Sequence, residues 1–230
     1  MKKIGFIGAY DKTDLLLNIA KILTTMNFRV LVVDSTINQK ARYIVPAIDP
    51  TVSYITSFED IDVAIGFDNV LGIQRYAGMT GELPYDILLI DCDTIERVEQ
   101  FELEKADKNY FVTSFDVYSL KRGLEILSNI TVPINLTKVI FTKEVLKEDD
   151  EYLNYLSLGY RMVWENERIY FPIENGDLIV IAENQRLQKI KFRKLSVQYK
   201  ESMSYIVQQI LDQNNDQNIR RAIKAIEKGA

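Results

Sequence analysis

Short, continuous apolar runs alternate along the chain with stretches whose apolar residues recur at every third or fourth position. Ile4–Gly8 (IGFIG) and Val30–Val33 (VLVV) are apolar on both faces, which predicts buried strands. Leu15, Leu16, Ile19, Ala20 and Leu23 between them mark one face of a helix. This strand–helix–strand unit, about 30 residues long, has the size of a right-handed crossover between parallel strands. Ile87–Ile90 (ILLI), ending in Asp91, predicts a third strand. Tyr110–Thr113 predicts a fourth, followed by a helix through Val117, Leu120, Leu124 and Leu127. Lys138–Thr142 (KVIFT), after Pro133, and Ile169–Ile173 complete the series. The expected fold is α/β: a doubly wound, mainly parallel sheet of at least six parallel strands, with helices on both faces.

The pattern is weakest over residues 143–168, where an acidic run at Glu148–Glu151 precedes a helix-like Tyr152–Leu158. Glu174–Asp177 (ENGD) reads as a turn and the AENQ stretch from Ala182 as a short helix. A long amphipathic helix is expected over Leu195–Leu211, with Tyr199, Met203, Ile206 and Ile210 on one side. Asp212–Asn218 (DQNNDQN) has no apolar anchor and reads as a polar hinge. Beyond it, Ile219, Ala222, Ile223 and Ile226 form one stripe, flanked by the basic Arg220, Arg221, Lys224 and Lys228. The chain therefore divides into one domain, 1–211, and a hinge with a short basic C-terminal helix, 212–230.

Composition removes whole classes of chemistry. There is no histidine and one cysteine, Cys92. This excludes Ser–His and Cys–His nucleophile pairs, imidazole metal ligands, an intrachain disulfide and a thiolate zinc cluster. Cys92 reads as a small buried apolar residue. Trp164, with Tyr160, Tyr170 and Phe171, reads as core packing or as a stacking surface. Lys and Arg number 28 against 33 Asp and Glu, a net charge of −5, so specific nucleic-acid binding is not expected. Residues 189–230 nevertheless carry +5 and the remainder −10, which reads as a solvated helix face or as contact with an anionic surface. The apolar runs are too short to span a bilayer and the N-terminus lacks a signal-peptide core, so a cytoplasmic location is expected.

Open parallel sheets bind ligands outside the carboxyl ends of their strands, which directs attention to Gly8–Asp14 (GAYDKTD) after the first strand. A phosphate loop needs glycines so that backbone amides can converge on phosphate, Lys for its charge, and Ser or Thr for Mg²⁺. Lys12 and Thr13 meet the second half of that requirement; Phe6 and Asp11 stand where GxxxxGK has glycines. Asp11 reads either as a charge facing phosphate or as the N-cap of the first helix.

With these residues in place, the chain resembles the ParA/MinD family of P-loop ATPases, whose deviant loop is KGGxGKTT. Ile7 to Asp14 lies over that loop and retains Gly8, Lys12 and Thr13. Arg29–Asp34 (RVLVVD) is similar to the family's second strand, Tyr85–Asp91 (YDILLID) to its Walker B strand, and Phe171–Gln185 to its late "IP.D..V..A...G" segment. The resemblance implies ATP or ADP with Mg²⁺ as cofactor, Gly8, Lys12 and Thr13 as nucleotide contacts, Thr13 and Asp91 on the metal, and Asp34 and Asp91 as catalytic candidates. Strand-ending Asp34 and Asp91 read equally well as caps of the elements that follow.

The departures shape the functional expectation. Ile7 replaces the lysine that crosses the family's dimer interface, Asp14 the last loop threonine, and Thr36 the switch aspartate. An Asp11 carboxylate about 4 Å from phosphate would cost on the order of several kcal/mol at an effective dielectric near 20. The expectation is a degenerate, TadZ/CpaE-like member with little or no ATPase. It would act as a homodimeric scaffold that positions pilus, secretion, partition or division machinery with protein partners at a cell pole or inner membrane. A membrane contact through 217–230 is one expected route, as in MinD relatives. The alternative is a working ATP-dependent dimerising switch in partition or division-site selection. A tyrosine-kinase-like relative is disfavoured, since 206–230 contains no Tyr.

Overall fold

The computed structural model describes residues 1–47, 51–144, 147–212 and 215–229. The hinge residues 213 and 214, the last residue of the tail, and 145–146 of the weakly patterned stretch lie outside the described residues. Eight strands, β1 (Lys2–Ile7), β2 (Val30–Asp34), β3 (Tyr54–Phe58), β4 (Ile61–Ile65), β5 (Ile87–Cys92), β6 (Lys108–Ser114), β7 (Ile134–Thr142) and β8 (Met162–Pro172), form one sheet in the order β3-β4-β2-β5-β1-β6-β7-β8. Seven of them run parallel; only β3 pairs antiparallel, with β4. Their central members are buried on both faces, as the continuous apolar runs require.

The helices are α1 (Thr13–Thr25), α2 (Val70–Tyr76), α3 (Ile95–Gln100), α4 (Val117–Ser128), α5 (Lys147–Leu156), α6 (Asn175–Leu187), α7 (Val197–Leu211) and α8 (Asp216–Lys228). One face of the sheet packs against α1, α6, α7 and α8, the other against α2 to α5. Chain direction explains the split. From β1 the chain crosses β5 to reach β2, and from β5 it crosses β1 to reach β6; right-handed crossovers in opposite directions put their helices on opposite faces.

Two expectations are corrected, and one hairpin is added. The β3–β4 hairpin was not legible: its two-residue turn, Glu59 and Asp60, has φ of 50° and 65° without a glycine. The turn is steadied by Lys21, whose Nζ donates to Glu59 O at 2.9 Å and pairs with the Asp60 carboxylate at 3.2 Å. Glu174–Asp177 is not a turn, because Asn175, Gly176 and Asp177 are the first turn of α6. The Asp177 carboxylate, well placed at a helix N-terminus, accepts from Ser196 N at 2.6 Å and Ser196 Oγ at 2.7 Å and so ties α6 to α7. Finally, Ile219, Ala222, Ile223 and Ile226 are buried, with α8 packed on α1 and α7. That stripe belongs to the core, and the membrane contact expected of 217–230 loses its apolar face. Among the described residues no helix is long and apolar enough to cross a membrane.

Trp164 packs rather than presenting a stacking surface. Its ring tilts against Phe111, Lys138 Nζ lies 4.9 Å above it, and its Nε1 donates to Ser157 Oγ at 2.9 Å. Cys92 is buried, and burial pushes its thiol up, away from reactivity.

Candidate functional site

The loop from Gly8 to Thr13 leaves the carboxyl end of β1, the strand at the centre of the sheet. Gly8 has φ +139°, and a Cβ there would sit 2.2 Å from Val112 O, so the chain can make this close pass against β6 only with glycine. Its amide donates to Cys92 O at 3.1 Å. Tyr10 anchors the loop tip: its ring stacks on Phe141 at 4.6 Å, Phe141 stacks on Phe171, and Phe171 meets Tyr199 edge-on. A bulky aromatic at this loop position thus belongs to the core's packing.

Lys12 points inward and is 2% exposed. Its Nζ donates to Gly8 O at 2.7 Å and lies 2.7 Å from Asp91 Oδ1. Apart from Lys12, Asp91 Oδ1 has no donor, so this contact alone answers its charge. The Asp11 carboxylate faces the first turn of α1: Oδ1 accepts from Thr13 N at 3.1 Å and from Thr13 Oγ1 at 2.9 Å. Its Oδ2 lies 2.8 Å from Lys40 Nζ. Of the two readings of Asp11, the cap is the one realised, one residue ahead of the formal N-cap position at Lys12.

Strand register sets Asp34 beside Asp91. Asp34 is fully occupied in shaping the segment after β2. Its Oδ1 accepts from Thr36 N and Thr36 Oγ1, and its Oδ2 from Ala41 N at 2.9 Å. Asp93 holds the same segment through Ile37 N, 3.0 and 3.1 Å from its two oxygens. Across the opening, Asp116 caps α4 by accepting from Ser119 N at 2.9 Å, and Tyr118, Ser119 and Arg122 form the far wall. A cavity of about 400 Å³ lies between these elements, lined by Gly8 through Thr13, Asp91, Asp93 and Lys40. The sequence-predicted Gly8, Asp11, Lys12, Thr13 and Asp91 are thus brought together at its wall. Asp34 stands behind it as a structural cap. Asp93, Lys40 and Arg122 were not singled out from sequence; Asp93, two residues past the strand-ending Asp91, carried a positional signal.

Burial pushes Asp91 up to about 7 against the pull of Lys12, with Asp34 adding to the rise. Burial also raises Asp93, and it lifts Asp14 to about 7 even though Gln185 Nε2 donates to Asp14 Oδ2 at 2.6 Å. Asp11 goes the other way: burial opposes ionisation there, yet the bonds from Lys40 and Thr13 hold it below the usual carboxylate range.

The donor set does not fit a nucleotide's phosphates as it stands. The Thr13 amide and hydroxyl, which would meet phosphate and Mg²⁺, are bonded to Asp11, and the Lys12 ammonium is bonded inward. Asp91, the other expected metal ligand, faces that ammonium. Among the described residues no cluster of three Cys, Asp or Glu could hold a metal ion.

No protein-family model matches the chain, and no curated protein sequence matches it. Solved structures do. A ParA family ATPase from Chlorobium tepidum superposes with a TM-score of 0.60 at 14% identity, covering 91% of this chain and 97% of that one. The MinD cell division protein of Aquifex aeolicus gives 0.55 at 14% identity, covering 97% of each. A putative plasmid partition protein from Borrelia burgdorferi, bound to AMPPNP, gives 0.52 at 10% identity over 92% of this chain and 98% of that one. At such identities the likeness is one of fold, and the fold is that of the ParA/MinD P-loop NTPases.

Proposed function

We propose that this chain is a degenerate member of the ParA/MinD group, TadZ/CpaE-like in kind. It acts as a scaffold that positions pilus, secretion, partition or division machinery rather than as an ATPase. One observation carries the reading: the Asp11 carboxylate occupies the amide and hydroxyl of Thr13 where a phosphate and its Mg²⁺ would bind. Inside it, Lys12 is turned onto Asp91. The location this reading expects is cytoplasmic, at a pole or the inner-membrane surface through protein partners. The assembly it expects is a homodimer across the cavity mouth, where Ile37, Val117 and Tyr118 are each more than 60% exposed; sedimentation velocity of wild type and Tyr118→Asp tests this.

The second reading, a working nucleotide switch, is favoured by Lys12, Thr13 and Asp91 still lining one cavity. Isothermal titration with ATP and Mg²⁺ separates the two. Wild type is expected to bind weakly, and Asp11→Gly to bind at least about tenfold more tightly, or about 1.4 kcal/mol. Tight wild-type binding, with turnover that Lys12→Ala abolishes, would overturn the scaffold reading.

A further inference from the structure

The basic C-terminal part of the chain holds its cations in two different ways. On α7 and α8 two are paired, Lys200 with Glu227 at 2.6 Å and Arg220 with Asp216 at 2.8 Å, while Arg221, Lys224 and Lys228 are exposed on α8 without an ion pair among the described residues. From the last turn of α6 through the link to α7, Arg186, Lys189, Lys191 and Arg193 are exposed and, among the described residues, form no ion pair. Lys194 alone has a carboxylate near, Glu183 at 3.5 Å.

This run is held in place by packing and hydrogen bonds. From Lys189 to Arg193 burial alternates strictly, with Ile190 and Phe192 seated in the core and the three cations outside. Asn184 fixes the backbone, donating from Nδ2 to Lys191 O at 3.0 Å while its own carbonyl accepts from Lys189 N at 3.0 Å. Alternation puts Lys189, Lys191 and Arg193 on the outer side, Arg193 inside the turn that Leu195 N closes onto Phe192 O at 3.0 Å. The Lys194–Glu183 contact folds the run back along α6, whose outer face presents Ile179 at 66% and Leu187 at 44% exposure.

We infer that this face docks a short acidic segment of a protein partner, extended, with carboxylates at alternate positions and apolar side chains between them. Cations facing outward at alternate positions are complementary in charge to a segment whose carboxylates also alternate. Ile179 and Leu187 supply the apolar contact. A protein segment is favoured over a nucleic acid or a bilayer by the charge of the rest of the chain. Residues 1–188 carry −10, and at physiological salt fields fade over about 8 Å. A short segment therefore meets only the patch, while a long polyanion or a membrane plane also meets the acidic body.

The test is fluorescence anisotropy on the full chain with a labelled peptide of alternating Asp and Leu. Its comparators are a labelled single-stranded oligonucleotide of equal charge and phosphatidylserine vesicles. Wild type is expected to bind the peptide saturably, with affinity falling as salt rises, and more tightly than either comparator. The exposed triple variant Lys189→Glu, Lys191→Glu, Arg193→Glu should lower peptide affinity at least about tenfold. The gentler Lys189→Gln, Lys191→Gln, Arg193→Gln variant, whose unchanged melting temperature verifies the fold, should lower it at least about threefold. Ile179→Ser should weaken the peptide and leave the oligonucleotide unaffected. No peptide binding, binding indifferent to the Gln variant, or tighter binding to oligonucleotide or vesicles overturns the inference.

Discussion

Replacing Asp14 by Asn tests whether the carboxylate behind the loop is ionised at a cost to the fold. Burial pushes this carboxyl from 3.8 up to about 7. A group with a raised pKa keeps its proton in the folded chain over a range where the unfolded chain has lost it. Stability therefore falls as pH rises from about 4 to about 7 and stays reduced above that. The gap of about 3 units, at about 1.36 kcal/mol each, corresponds to about 4 kcal/mol at pH 8. The position in the first turn of α1 favours a negative charge and returns about 0.3–1 kcal/mol. Asn keeps an acceptor for the 2.6 Å bond from Gln185 and removes the charge. Asp14→Asn is thus expected to stabilise the chain by about 3 kcal/mol at pH 8, roughly 6–12 °C in Tm for a protein of this size. At pH 5, where most of the penalty has not yet developed, the gain should be less than about half of that. Calorimetry of both proteins at the two pH values is the assay. Equal gains at pH 5 and pH 8, or no gain at pH 8, would refute the reasoning.

Three further outcomes follow from the same geometry. Lys12→Met should cost about 3–5 kcal/mol in urea unfolding, because it leaves Asp91 buried and unpaired, and adding Asp91→Asn should recover part of the loss. Gly8→Ala should destabilise by at least about 2 kcal/mol, since its Cβ would lie 2.2 Å from a backbone oxygen of β6; a neutral effect would mean the loop does not pass there. Ile223→Ala should cost about 2–5 kcal/mol if α8 is part of the core, whereas a change below about 0.5 kcal/mol would return it to the status of a detached tail.

The six strands and three long helices legible in the sequence share one property: their burial is nearly uniform or strictly periodic. Val30–Val33 and Ile87–Ile90 lie between flanking strands and under helices on both faces, and such strands are written as continuous apolar runs. β3 and β4 sit at one edge, where Thr56, Ser57 and Asp62 face partly outward, and their turn uses Glu59 and Asp60 instead of the Asn–Gly that announces a hairpin. The first half of α6, ahead of the short helix expected from Ala182, was hidden for a different reason. Leu178, Ile179 and Leu187 are exposed while Asp177 and Asn184 are buried, which erases the amphipathic stripe. Within the site, the loop residues were readable because a phosphate loop constrains residue types locally. Lys40 was not, since it meets Asp11 across 29 residues of chain through a fold that Asp34 organises.

The two ion pairs at the loop are unequal, and the inequality sets how far the site can be opened. Any helix that starts behind a buried strand leaves its first amides unsatisfied and favours an anion there. Asp11 supplies that anion from within, and Lys40 balances it. Both partners of this outer pair are more than a third exposed, at 38% and 51%, so the pair itself contributes about 0–1 kcal/mol. The inner pair, Lys12 with Asp91, is almost wholly buried, and separating it leaves two desolvated charges. Removing Asp11 thus frees the Thr13 amide and hydroxyl at little cost, but it leaves Lys12 turned onto Asp91 and Gly8 O. Asp11→Gly should accordingly gain phosphate affinity by about one order of magnitude, the worth of the freed amide and the lost repulsion. The further gain that comes with a lysine on the phosphates should appear only when Asp91 is also neutralised, as in Asp11→Gly with Asp91→Asn. If the single variant already binds pyrophosphate as tightly as the double one, the inner pair does not restrain Lys12, and the closed loop is held by Asp11 alone.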